Sequence, residues 1–198
     1  ARKVWLGHRR LSIVDLSREA AQPMTEPQGK IWITFNGEIY NHDEVEKLLI
    51  QKGRFFPDGS DGACLAEGFS YLGNSFIDTL DGMFAIAFWN SETCSLILTR
   101  DHLGIKPLYY FFEKNLLIFS SEPKSILGLR NSSIFTRNFT LSLNLGMIED
   151  LAHFMFAPGN RESFANEIKQ VAPGEILTFS KEELTSCLSS NAAVSSQS

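Results

Sequence analysis

The segment Ile31-Trp32-Ile33-Thr34-Phe35-Asn36-Gly37-Glu38-Ile39-Tyr40-Asn41 joins a strand pattern to the start of a helix. Its first five residues form a mainly apolar run of strand length, which predicts a buried strand. Asn41 is a favourable helix N-cap, and Glu44 three positions later completes a capping-box pattern. The sequence therefore predicts a strand that ends near Asn36-Gly37 and a helix that begins after Asn41.

Two interpretations of Asn36-Gly37 follow from the residue types alone. Asn-Gly between strand-like runs is a strong signal for a hairpin turn, and on its own the dipeptide favours that interpretation. The same pair can also place a side-chain amide next to an unhindered backbone N–H. Two such donors are what an acyl-transfer site needs to stabilise an oxyanion.

The middle of the chain changes from helical to strand periodicity. Helical spacing covers about residues 62–72, and four apolar runs separated by short turns follow: Met83–Trp89, Ser95–Thr99, Pro107–Phe112 and Leu116–Ser120. Short turns between such runs favour antiparallel pairing. Because the runs are apolar on both faces, both faces must be covered. We expect helices on one face and a second sheet on the other, which is a layered α+β fold.

The bulk properties exclude several classes of protein. The 198 residues suffice for one substantial domain, and a net charge of −5 argues against a nucleic-acid-binding surface. No apolar run is long enough to cross a membrane, and the N-terminus has no signal-peptide pattern. Three widely spaced cysteines offer neither metal-ligand spacing nor a disulfide framework. We expect a cytoplasmic protein without a metal site in this region.

Four motifs in order carry a resemblance to a known family. They are Gly7–Asp15, Phe35–Asn41, Gly59–Asp61 and Arg100–Tyr110. Together they resemble the class II glutamine amidotransferase domain, in the branch of the glutamine-hydrolysing asparagine synthetases. The resemblance implies an N-terminal-nucleophile (Ntn) hydrolase fold, a four-layer αββα sandwich with antiparallel sheets.

The resemblance also implies an activity and its partners. The domain would hydrolyse glutamine to glutamate and ammonia, and the ammonia would serve asparagine synthesis from aspartate and ATP. The glutaminase reaction needs no cofactor, whereas ATP and magnesium belong to a synthetase domain that this sequence lacks. That domain is the expected partner in the full-length protein, and the resemblance allows a homodimer.

Five residues match the family's substrate site. Asn36 and Gly37 match the oxyanion hole, and Glu38 lines the same pocket. Arg10 matches the arginine that binds the α-carboxylate of glutamine, for which a guanidinium is well suited. Asp61 matches the residue that pairs with the substrate ammonium, although its position also fits a helix N-cap. The family usually has threonine-glutamate after this aspartate, whereas the present sequence has Gly62-Ala63.

The nucleophile that the resemblance implies is an N-terminal cysteine, and residue 1 here is alanine. Cys64 is better explained as a small buried helix residue, because an internal cysteine lacks the free α-amino group and a nearby carboxylate disfavours the thiolate. We therefore expect residues 1–130 to be an N-terminally truncated domain that lacks its first strand and is inactive alone.

The remaining residues are expected to connect the domain to its partner, and two alternatives to the predicted function stay open. Residues 131–184 are expected to end the domain and lead toward the synthetase domain, and the Ser-rich residues 185–198 to be disordered. The first alternative is a noncatalytic glutamine-binding or regulatory module. The second is the glutaminase domain of another class II amidotransferase.

Overall fold

The computed structural model of the chain describes residues 4–9, 21–54, 60–113, 116–129, 141–154 and 161–184. Its helices and strands, in chain order, are β1 Met24–Thr25, β2 Ile31–Ile39, α1 His42–Gln51, α2 Asp61–Leu72, α3 Asn74–Ile77, β3 Gly82–Asn90, β4 Ser95–Arg100, β5 Tyr109–Glu113, β6 Leu116–Ser120, α4 Pro123–Leu129, α5 Leu145–Phe154, β7 Ile168–Gln170 and β8 Ile176–Phe179. Every long element predicted from the sequence is present. The very short β1 and β7 were not predicted.

These strands form two antiparallel sheets. The larger sheet has the order β1-β2-β3-β4-β8, and the smaller has the order β6-β5-β7. The consecutive strands β2, β3 and β4 are neighbours, as short connections favour. The last part of the described chain contributes one strand to each sheet, β7 beside β5 and β8 beside β4.

Three clusters of buried apolar side chains separate four layers. Side chains of α1 and α2 cover one face of the larger sheet, with Ile33, Leu49 and Leu65 almost fully buried between them. The opposite face packs against the smaller sheet through residues such as Leu98 and Val171. A third cluster lies between the smaller sheet and α4. The layered α+β prediction is confirmed.

Strand β3 explains why its sequence is apolar on both faces. Phe84, Ile86 and Phe88 point toward the helices, whereas Ala85 and Ala87 point toward the smaller sheet. Large side chains fill the gap to the helices, and small ones allow the two sheets to approach. Because both faces of β3 are buried, its side chains alternate between large and small, and not between apolar and polar.

The structure corrects two local expectations. Strand β2 runs through Asn36-Gly37 to Ile39, so the dipeptide does not form a hairpin turn. Asn41 does precede α1, but its side chain makes no capping bond. Instead its amide donates to the Thr79 carbonyl at 2.8 Å and accepts the Asp81 N–H at 2.9 Å. This side chain ties the start of α1 to the loop before β3, which a local capping rule does not anticipate.

The domain boundaries stay predictions. The expected boundary at residues 130 and 131 and the tail 185–198 lie outside the described residues. The expected loss of a first strand also stays a prediction.

Candidate functional site

The Gly37 N–H points away from β3, on the edge of β2 that pairs with β1 only at Trp32 and Ile33. Gly37 pairs with Phe84, whose N–H and carbonyl both bond to Asp101 on the far side of β3. Gly37 and Phe84 are therefore a pair without mutual hydrogen bonds, and the Gly37 N–H faces away from β3. On that edge the Phe35 N–H donates to Gln22 Oε1 at 2.6 Å, and the Ile39 N–H lies close enough to Asp61 to lower the pKa of its carboxyl group. The Gly37 N–H lies between these two N–H groups.

Position 37 requires glycine for a steric reason. Its φ is +152°, and a Cβ there would lie 2.1 Å from the Met83 carbonyl oxygen. A Cβ at Gly82 on the partner strand would likewise lie 2.3 Å from the Glu38 carbonyl oxygen. The two backbones approach so closely at this end of the ladder that neither strand can carry a side chain there. The close approach fixes the direction of the Gly37 N–H.

The side chains of Asn36 and Glu38 lie on the same face of β2, because side chains alternate along a strand. Both side chains are exposed at the end of the sheet where β2 ends and β3 begins. Among the described residues, no hydrogen-bond partner is found for the Asn36 amide. Asn36 and Gly37 thus carry a side-chain amide and an outward backbone N–H on adjacent residues, and an oxyanion hole needs two such donors to converge.

Asp61 lies at the same edge of β2. Ser60 is the N-cap of α2, since its Oγ accepts the Ala63 N–H at 3.3 Å. Asp61 is therefore the first residue of the helix, and its N-cap interpretation is wrong. The pKa of Asp61 is raised by burial and, to a smaller extent, by the charge of Glu38, while His42 and the Ile39 N–H act in the opposite direction. The Asp61 side chain is 37% exposed, so part of its carboxylate faces solvent.

His42 was not singled out from the sequence. It is the first residue of α1, and its Nε2 lies 3.6 Å from Asp61 Oδ1. The only sequence signal was an imidazole at a helix position that normally favours acidic side chains. Among the described residues, His42, Asp43 and Glu46 form the one group whose possible ligand atoms all lie within 4.8 Å of one another.

The described cysteines do not offer a reactive thiolate at this site. Cys64 is buried in α2, and burial together with the charges of Glu46 and Asp61 raises the pKa of its thiol to about 12. Cys94 lies in the turn after Asn90, at the opposite end of β3 from Gly82. Cys187 lies outside the described residues.

The Arg100–Tyr110 motif forms a turn behind the site, and the two residues that begin it, Arg100 and Asp101, are buried. The Asp101 carboxylate accepts four backbone N–H groups, those of Phe84, Leu103, Ile105 and Lys106. Burial raises the pKa of Asp101, but these four hydrogen bonds outweigh it and the pKa is lowered. The Arg100 guanidinium donates to three carbonyls, those of Gly104, Lys106 and Val171.

The remaining described residues of this motif have structural positions. Leu108 is buried, and Tyr110 packs edge-on against Phe179 between the sheets. His102 is exposed at the turn. Of the predicted site, Asn36, Gly37, Glu38 and Asp61 come together at one end of β2, whereas Arg10 lies outside the described residues.

Comparison with known families decides the class. The model of the glutamine amidotransferase domain family matches residues 1–189. The chain belongs to this family. The amidotransferase domain described here is 33% identical over 176 residues to asparagine synthetase [glutamine-hydrolyzing] 1 of Bacillus subtilis, a match that covers 89% of the chain and 26% of that protein. It is also 40% identical over 125 residues to an amidase of Gibberella zeae, covering 63% of the chain and 18% of the relative.

Solved structures confirm the fold of this amidotransferase domain. The glutamine phosphoribosylpyrophosphate amidotransferase of B. subtilis superposes with a TM-score of 0.55 and 19% identity, covering 84% of the chain and 31% of that protein. The predicted Ntn-hydrolase sandwich is therefore confirmed. The domain spans about a quarter of the length of the asparagine synthetase that it matches. None of its described helices has the length and apolarity needed to span a membrane.

Proposed function

We propose that this domain binds glutamine at the end of β2 and contributes the oxyanion hole for its hydrolysis to glutamate and ammonia. We further propose that the ammonia is used to make asparagine from aspartate and ATP in a synthetase domain of the same protein. The proposal rests on one observation, the position of the Gly37 N–H and the Asp61 carboxylate on the same strand edge. The asparagine synthetase relatives support the choice of product.

Each group has a definite task in this proposal. The Asp61 carboxylate receives the α-ammonium of glutamine, and Glu38 adds negative potential beside it. Arg10 binds the α-carboxylate with its guanidinium fork. The Asn36 amide and the Gly37 N–H then face the side-chain carbonyl, where negative charge develops during attack. Same-edge N–H groups repeat about every 7 Å along a strand, a spacing suited to a ligand with an ammonium at one end and an amide at the other.

The attacking group is the remaining element of the mechanism. Cys64 is excluded by burial and by its thiol pKa of about 12, because a thiolate is the reactive form. Cys94 is separated from the hole by most of β3, about 20 Å for the six residue steps from Phe84, opposite Gly37, to Asn90. We therefore expect the sequence as printed to bind glutamine without hydrolysing it. The same cysteine evidence favours the second candidate, a noncatalytic glutamine-binding module.

Isothermal titration with L-glutamine tests the proposal directly. We expect saturable binding by the parent domain and at least a tenfold weaker affinity in Asp61→Asn, since a charge-assisted pair is lost. Glu92→Gln is the matched control. It removes one carboxylate from an exposed pair with Lys30 at the other end of the sheet, and we expect unchanged affinity.

Glutamate release, measured on the same samples and on the full-length encoded protein, separates the two candidates. Release by the full-length protein supports the glutaminase, and binding without release supports the noncatalytic module. An absence of glutamine binding in the folded parent domain would contradict both.

A further inference from the structure

We propose that His42 is a positioning residue for glutamine binding. Its imidazole holds the Asp61 carboxylate at the edge of β2, where this carboxylate receives the α-ammonium of the substrate. The inference rests on the proposed function, because it assigns His42 a task in the same site. It adds a residue that acts on the substrate through Asp61 and not by direct contact.

The geometry places His42 and Asp61 at two helix starts that meet. His42 begins α1, Asp61 begins α2, and His42 Nε2 lies 3.6 Å from Asp61 Oδ1. The Nε2 atom is fully buried and has no hydrogen-bond partner among the described residues. A buried polar atom without a partner is costly. A shift of less than about 1 Å would bring the two atoms to hydrogen-bond distance.

The Asp61 carboxylate needs a second contact to be fixed in space. The Ile39 N–H lies beside it at the strand edge and lowers its pKa. One contact leaves a carboxylate free to turn, whereas a second contact from His42 sets its orientation. Because Ile39 and Gly37 share this edge, fixing Asp61 also fixes the distance from the ammonium site to the oxyanion donor. His42 would therefore contribute to the preference for glutamine over the shorter asparagine.

The charges around Asp61 require a compensating group. The acidic side chains at this corner are Glu38 from β2 and Asp43 and Glu46 from α1, and the Cys64 thiol faces it from α2. Among the described groups that act on Asp61, His42 is the one side chain that favours the ionised carboxylate. Its imidazole thus supports the charge that the substrate ammonium must meet.

Anchoring of α1 does not account for His42. The start of this helix is already tied to the loop before β3 by the two hydrogen bonds of Asn41 to Thr79 and Asp81. The positive end of the helix dipole also disfavours a cationic side chain at this position. Two local effects therefore make histidine unnecessary or unfavourable here. The imidazole lies 3.6 Å from Asp43, which is exposed, and 3.6 Å from Asp61, and the second contact is the one that joins the two helix starts.

Two ligands distinguish positioning from a general structural role. We would measure the affinities of L-glutamine and of glutaramic acid, which is glutamine without its α-ammonium, for the parent domain and for His42→Ala and His42→Gln. We expect His42→Ala to weaken glutamine about tenfold, the value of one hydrogen bond to a charged group. Glutaramic acid should change less than about twofold, because it has no group for Asp61. His42→Gln should restore most of the affinity, since its amide can also donate.

The controls use the same assay. His102→Gln removes an exposed histidine far along the chain and should leave both affinities unchanged. In an Asp61→Asn background, His42→Ala should add nothing further, because both changes act through one interaction. Equal weakening of both ligands in His42→Ala, or a full additional loss in the double variant, would overturn the positioning role.

A titration without ligand keeps this proposal separable from the proposed function. Carboxyl carbon NMR follows the protonation of Asp61 in the parent and in His42→Gln, and we expect its midpoint to lie at higher pH in the variant because the contact with His42, which lowers the pKa of Asp61, is lost. An unchanged midpoint would contradict the coupling of His42 to Asp61. Failure of the parent to bind glutamine, with the shifted midpoint still observed, would contradict the proposed function alone.

Discussion

Two hydrogen bonds join Asp101 to the backbone of Phe84. The Asp101 carboxylate accepts the Phe84 N–H at 3.2 Å, and the Asp101 N–H donates to the Phe84 carbonyl at 2.9 Å. Phe84 is the residue directly opposite Gly37 in the β2–β3 pair. The turn after β4 therefore fixes the strand that lies behind the proposed oxyanion donor, which connects a buried structural motif to the candidate site.

Substitution of Asp101 should therefore destabilise the whole sheet. Asp101 is 1% exposed, and Asp101→Ala leaves four buried or partly buried backbone N–H groups without their acceptor. We expect the free energy of unfolding to fall by about 4 kcal/mol. Urea denaturation measures this change. Asp78→Ala, at an exposed aspartate after α3, is the control and should change stability by less than about 0.5 kcal/mol. Equal effects of the two substitutions would contradict the assignment.

The same carboxylate should give the fold a specific pH dependence. The pKa of Asp101 is lowered in the folded state, so its contribution to stability is present above the ordinary carboxyl value of 3.8. This contribution is lost as the pH falls from that value through the folded pKa. Unfolding measured between about pH 5 and pH 2 should show a steeper loss in the parent than in Asp101→Ala. Parallel pH profiles of stability in the parent and in Asp101→Ala would contradict the lowered pKa of Asp101.

Gly37→Ala should disrupt the end of the β2–β3 ladder. The added methyl would lie 2.1 Å from the Met83 carbonyl oxygen, so backbone must move, and we expect a loss of about 3 kcal/mol together with loss of glutamine binding. Gly128→Ala in α4 is the control, since nothing lies within 4 Å of its Cβ position. This control should be neutral or more stable by about 0.5 kcal/mol, because alanine favours helices. Thermal unfolding and calorimetry of both variants test the prediction.

Cys64 should resist alkylation in the folded protein. With its thiol pKa raised to about 12, almost none of it is thiolate at pH 8, and we expect iodoacetamide to label it at least 100-fold more slowly than the partly exposed Cys94. Peptide mass spectrometry of the native protein separates the sites, and denatured protein should label at both. Rapid labelling of native Cys64 would restore it as a candidate nucleophile.

Arg10 and Arg9 provide a matched pair for the carboxylate site. We expect Arg10→Ala to weaken L-glutamine binding by about 10- to 100-fold, because a bidentate charged hydrogen bond is lost. Arg9→Ala should have little effect, since neighbouring residues in an extended segment face opposite ways. Arg9 is exposed. Calorimetry decides between them, and a larger effect of Arg9→Ala would reverse the assignment.

Residue pattern alone predicted most of the architecture. The apolar runs from Met83 to Ser120 contain enough strand residues, separated by short turns, to require antiparallel sheets covered on both faces. That inference succeeded because burial on two faces leaves a strong signal in each strand. The strand over Asn36-Gly37 was harder to predict, since the dipeptide itself favours a turn and only the close approach of Met83 explains its glycine.

The sequence by itself determined the class of fold, the family motifs and the residue types of the site. Tertiary structure decided which of these residues meet. Asp61 and Ile39 lie on different elements, and only the packing of α2 against β2 brings the carboxylate to the strand edge beside the Gly37 N–H. The role of His42 depends on the same packing, because an imidazole at a helix start becomes informative only when the start of another helix places a carboxylate 3.6 Å from it. Local patterns specify elements, whereas contacts between distant residues require the folded chain.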